Sequence, residues 1–174
     1  VWPLTGVAVD AVVNRPAVAI KIENTHLARP QSGLEQADVV WETIVEFDVS
    51  RLIAVFQSQV PTEVVGPVRS VRPMDPLIVA PLHGPLVFSG GQAGILALIP
   101  KAGIQSISHD AGAAGLARIS SRAAPHNVYG DVATFMASAD SSHNAPPPEQ
   151  FAFAATAAEA GAVVSGTPAS TLAF

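Results

Sequence analysis

No cysteine occurs in the 174 residues, so disulfides, thiolate metal sites and a cysteine nucleophile are all excluded within the chain. Charge is scarce: 13% of residues are charged, and the net charge of −5 leaves no electrostatic footprint for nucleic acid. Positive charge is scarcest, and seven of the nine basic residues are arginine. Solubility alone is served as well by lysine, so an arginine bias points to planar, bidentate pairing with carboxylate or phosphate. Aromatic residues make up only 6%, yet 49% of the chain is hydrophobic, which supplies apolar surface for a real core and argues against disorder. No apolar run reaches the ~18 residues of a membrane span. The sequence opens abruptly at VWPLTG without a signal peptide, and we expect an anchor upstream of it.

The apolar residues fall into alternating patterns. PAVAIKIEN, 16–24, predicts a strand with Val18, Ile20 and Ile22 on one face. The next stretch, to Asp38, predicts a loop with a helical turn near Gly33–Ala37. VVWETIVEFDVSRLIAVFQSQ predicts a hairpin turning at DVS. We expect the register that groups Trp41 with Phe56 on a buried face and sets Glu42 and Arg51 on the other. A short helix is predicted between Ser70 and Gly84, with Ser70 as its N-cap. Then come a strand at PLVFSGG, a three-turn helix at QAGILALIPKAG, and a strand at IQSIS. Residues 111–130 read as mostly loop, and a helix capped by Asp131 follows. Strands and helices alternate around one hairpin, so the fold class is α/β with a mixed sheet flanked by helices. The main domain is expected over 3–142 and a proline-rich linker at 143–150. Residues 151–174 would begin a second, β-rich domain, with STLAF as its first strand.

PLTG, NRPAVAIKIEN, ARPQSGLEQADVVWETIVE, SRLIAVFQSQ, GPVRSVRP, FSGG and APHNVY occur in one order along residues 3–130. In this series the chain resembles the YerB-type family of bacterial lipoproteins. The resemblance implies an N-terminal α/β domain of unknown function followed by a β-rich domain. It also implies an extracytoplasmic location, with a lipid anchor on an upstream cysteine as the sole tie to the membrane. It implies no reaction.

GPVRSVRP, 66–73, holds two of the nine basic residues within four positions. With Ser70 as a cap, Arg69 and Arg72 would flank the positive end of a helix and form an anion cradle. Arg51 on the hairpin is the expected third member. Glu42 and Glu46, with Asp48 nearby, are the expected supporting carboxylates; they would either orient the arginines for a ligand or close the network as a purely structural one. Ser89, Gly90 and Gly91 follow a strand, where glycine lets backbone approach a ligand; the competing role is a tight strand-to-helix turn. No G-x-S-x-G elbow surrounds Ser89. His126 is the candidate acid/base, and Asn127 beside it a candidate ligand contact, unless this loop merely ties itself to the domain. The remaining histidines are scattered, so no metal site and no cofactor is expected. The residues read as a binding module for an anionic small molecule, a wall polymer or an acidic protein segment. A hydrolase acting on a phosphate- or carboxylate-containing substrate is the alternative.

Overall fold

Val18, Ile20 and Ile22 alternate with Ala17, Ala19 and Lys21, and in the computed structural model, which describes residues 1–167, all six are buried. Burial of both faces follows from position. This strand, β1 (Val18–Glu23), is the centre of a five-stranded mixed sheet. The hairpin strands are β2 (Val39–Ile44) and β3 (Ser50–Phe56). Beyond them α1 (Asp75–Val79) leads to β4 (Leu86–Phe88). Two short helices, α2 (Ala93–Leu96) and α3 (Leu98–Lys101), precede β5 (Ser106–Ser108). Strand order is β2-β3-β1-β4-β5; β1, β4 and β5 are parallel neighbours, β3 runs antiparallel to them, and the edge strand β2, antiparallel to β3, runs in their direction. The class is α/β with a mixed sheet.

Two apolar layers cover the sheet. Even-numbered β1 and β3 residues, Ile20, Ile22, Leu52, Ala54 and Phe56, pack against Val132 and Phe135 of α4 (Val132–Ala137). Asp131 caps that helix by accepting from the Thr134 N–H. Odd-numbered residues, Ala19, Ile53 and Val55, pack under Val79 of α1 and Ile99 of α3.

The structure corrects several sequence expectations. The hairpin register pairs Trp41 with Ile53 and Thr43 with Arg51, one residue from the expected alignment. Trp41 therefore shares the Arg51 face, and it is 39% exposed on an edge strand while Phe56 is fully buried on the other face. The expectation assumed that one hairpin face is core and the other solvent, whereas both faces of β3 are covered. The turn is also longer than DVS, with the chain reversing over 45–49 and Phe47 and Asp48 at positive φ. The three-turn helix is two short pieces joined at Ala97. The stretch read as loop contains β6 (Leu116–Arg118), paired with β7 (Val128–Gly130) in a small second sheet. STLAF lies outside the described residues.

Candidate anion site at the carboxyl ends of the strands

The parallel strands β1, β4 and β5 end on the same side of the sheet, the position where open α/β sheets form crevices. The odd-numbered face of β1 becomes charged there. Lys21 is fully buried, with its Nζ 2.8 Å from Oδ1 of the fully buried Asp75. The ammonium also donates to Thr43 Oγ1 at 3.2 Å, and Asp75 Oδ2 accepts the Arg72 N–H at 2.8 Å. Burial pulls Lys21 below the usual lysine range, although Asp75 opposes it. Glu23, two residues on, is 1% exposed and lies 3.3 Å from Arg69 Nε. Its carboxylate accepts from Thr25 Oγ1 at 2.7 Å and meets His126 Nδ1 at 2.9 and 3.0 Å.

Three arginines gather above these groups. Arg72 is fully engaged: its Nε and Nη2 reach Glu46 Oε2 at 2.8 Å, and its Nη1 donates to Ser70 Oγ and the Val71 carbonyl. That bond holds the Glu46 carboxyl below its ordinary range. Arg51 differs. It is 8% exposed, and Nη1 donates to the Ser70 carbonyl and hydroxyl at 2.7 and 2.9 Å. No carboxylate pairs with it among the described residues. Glu23 stands opposite Arg51 in the register but is committed to Arg69 and His126. Burial, then repulsion from Arg72 and Arg69, lowers the Arg51 guanidinium to about 10, so it stays charged at neutral pH. Arg69 is buried at Nε, where it makes no hydrogen bond, although Glu23 lies within ion-pair range. Within the cluster the cations Lys21, Arg51, Arg69 and Arg72 stand with the carboxylates of Glu23, Glu46 and Asp75, and the Asp110 carboxylate lies at the rim beside Gly90.

The Ser89–Gly91 turn closes one side. Ser89 N–H donates to the Arg69 carbonyl at 3.0 Å, and Gly90 accepts from the Val71 N–H at 3.1 Å. Gly90 has φ +84°, and a Cβ there would stand 3.3 Å from Asp110 Oδ2 and 3.6 Å from Ser70 Cβ. Glycine is needed here for its conformation. The N–H groups of Gly90 and Gly91 donate to no protein group among the described residues.

The structure thus brings Arg51, Arg69, Arg72, Glu46, Ser89 and Gly90 together, but through different chemistry from a helix entrance. Ser70 is not an N-cap: the helix begins at Asp75, and the Ser70 hydroxyl accepts from Arg51 and Arg72 instead. Glu42 faces the opposite side, where it accepts from Asn24 and Ser50. Asn127 spends its side chain on the loop, accepting from Arg118 Nη1 and donating to the carbonyls of Ile119 and Arg122. His126 reaches the cluster through Glu23. Lys21, Glu23 and Asp75 were missed. Lys21 and Glu23 had a signal, two charges inside VAIKIE, which a central strand must bury, although it does not name their partners; Asp75 had none. The apolar hollow beside Trp41 and the groove at Leu77 and Leu98 contain none of the cluster's charged side chains. Among the described residues no three histidine, aspartate or glutamate side chains are grouped to hold a metal ion.

Comparison with known proteins fits this architecture. Residues 4–145 match the family described as protein of unknown function (DUF3048), N-terminal domain. The chain belongs to that family. It is 51% identical over 71 residues to "Putative lipoprotein YerB" of Bacillus subtilis (strain 168), a match spanning 40% of this chain and 21% of the relative. The crystal structure of YerB protein from Bacillus subtilis superposes with a TM-score of 0.72 at 30% identity, covering 83% of this chain and 52% of that one. The chain therefore spans about half the length of its solved relative. No helix among the described residues is long and apolar enough to cross a membrane.

Proposed function

We propose that the family domain binds an anionic ligand between Arg51 and Arg69, on the outer side of a membrane to which the full-length protein is lipid-anchored. The ligand carries a carboxylate or phosphate: a small molecule, a wall polymer or an acidic protein segment. One observation carries the reading. Arg51 is buried and charged, and no carboxylate pairs with it among the described residues, whereas purely structural buried charges are paired. The Gly90–Gly91 turn supplies unspent N–H donors beside it. The relative described as a putative lipoprotein supports the location. The division expected at a 143–150 linker, with 151–174 opening a second unit, belongs to the same proposal, with its first residues, as far as Phe151, packed back on the main domain. The greater length of the relatives supports it.

Titration with citrate and with phosphate tests the reading. Binding raises the melting temperature with ligand concentration by mass action. Arg69→Lys weakens the response although charge is retained, because an ammonium lacks the planar fork. A wild type whose melting temperature ignores both anions sinks the proposal.

A second reading, hydrolysis, rests on one specific pair. Glu23 holds His126 through Nδ1, the arrangement of an orienting carboxylate behind a general base. Under that reading His126→Gln abolishes turnover of a phosphate- or carboxylate-containing substrate but keeps the anion-dependent rise in melting temperature.

A further inference from the structure

Beyond the anion site, the odd-numbered face of the hairpin carries a second feature. Leu4, Val39, Trp41, Val55, Ile78 and Leu82 line an apolar hollow at the β2 edge of the sheet. All six lie within the 4–145 family match. The segment just past that match covers the hollow. Gln150 Nε2 donates to the Pro81 carbonyl at 3.2 Å, and the Phe151 ring stacks on Trp41 with centroids 6.3 Å apart. Phe153 meets Phe151 edge-on at 6.1 Å. Its ring lies against Gly6, where an added Cβ would stand 2.5 Å from Cγ. Gly6 is at φ +69°, so both conformation and space reserve that position for the ring.

We propose that this hollow is a binding site for an aromatic-x-aromatic peptide, filled in cis by Phe151-Ala152-Phe153. One polar contact to a backbone carbonyl fixes the segment, Phe151 enters the hollow, and Phe153 rests at its rim against Gly6 and Phe151. The tether makes occupancy favourable. His143 is held by Asp140 Oδ1 and the Gly103 carbonyl, both at 2.8 Å. Three prolines then cross to Gln150, and a short stiff tether gives an effective concentration on the order of millimolar. A free peptide of the same chemistry therefore reaches the hollow only when the strap leaves it. Trp41 has no other aromatic partner among the described residues, and its exposure of 39% with the strap in place shows how shallow the seat is.

The test uses the full chain and a synthetic peptide of sequence PPPEQFAFAA, identical to residues 146–155. A Trp2→Phe background leaves Trp41 as the fluorescent reporter. The expected result is saturable binding to the Phe151→Ala/Phe153→Ala variant and at least tenfold weaker binding to the chain with its own strap. Binding should vanish when both phenylalanines of the peptide are alanine, and, read by titration calorimetry because the reporter is gone, when Trp41→Ser removes the seat. Equal binding with and without the strap overturns occupancy in cis. Absence of binding to a strap variant that melts cooperatively overturns the site. The anion response stays unchanged in every variant, so the proposal stands or falls separately from the arginine cluster.

Discussion

Lys21 and Arg51 are buried cations on the same face of the same sheet, and they are satisfied in opposite ways. Lys21 has a dedicated carboxylate at 2.8 Å, itself fully buried, with a threonine hydroxyl filling a further donor. Arg51 has a serine carbonyl and hydroxyl and no carboxylate among the described residues. A buried charge costs several kcal/mol in lost hydration, so it persists only where partners offset that cost or where function requires the charge. Lys21–Asp75 is closed on itself and ties β1 to α1. Arg51 is held in place with donors to spare. Buried charge alone does not mark a site; the proposal rests on the one without a carboxylate paired to it, which Glu46 and Glu23 favour only from a distance.

The largest expected effect comes from opening the closed pair. Asp75→Ala leaves the Lys21 ammonium buried with only Thr43 for company and frees the Arg72 N–H. Removal of one partner from a buried pair costs about 3–5 kcal/mol, to be read from chemical denaturation. A loss under about 1 kcal/mol would show that Lys21 simply discharges there, and the contrast with Arg51 would lose its first half.

Arg51→Met sharpens the second half. Methionine keeps the unbranched stem and removes a charge that has no ion-pair partner. The fold should hold to within about 1 kcal/mol or gain, as when buried ionic groups give way to apolar ones. The rise in melting temperature with citrate or phosphate should disappear. If Arg51→Met costs as much as Asp75→Ala, Arg51 is a structural group and the anion site is withdrawn.

How much of this was legible depends on which physical rule each residue obeys. The period-2 alternation of β1 and the cap at Asp131 are local rules, and both appear directly in the residues. The hairpin register is not local. Trp41 and Phe56 look equivalent by composition, but Phe56 lies inside a strand covered on both faces and Trp41 on an edge. Arg51, Arg69 and Arg72 could be grouped from their concentration, because few other cations compete. Their partners could not. Glu46 was picked out with Glu42 as a carboxylate on the hairpin's polar face beside Arg51, while Asp75 and Glu23 depend on how α1 and the 120s loop pack over β1, which no spacing encodes. Ser70 shows the same limit: serine before a proline-containing helix reads as a cap, yet its hydroxyl serves two guanidiniums.

The smallest effect on stability belongs to Glu46, and it bears most directly on how open the cluster is. Glu46 is about half exposed and takes up the Nε and Nη2 of Arg72. Glu46→Gln removes a solvent-facing pair, so the melting curve without ligand should barely move. The freed fork of Arg72 adds a third available guanidinium beside Arg51 and Arg69, and the anion response should become larger. Acid should act in the same direction. Arg72 holds the folded-state pKa of Glu46 below the ordinary 4.5, so this group's contribution to stability is present above 4.5 and is lost as pH falls through the lowered value. Anion titrations of the wild type at successively lower pH should approach the Glu46→Gln response, provided the probe is one whose charge is constant over that range, such as sulfate. A Glu46→Gln chain that responds to sulfate no more than the wild type would mean Arg72 stays bound to Ser70 and Val71 alone, and that the ligand is held by Arg51 and Arg69 without it.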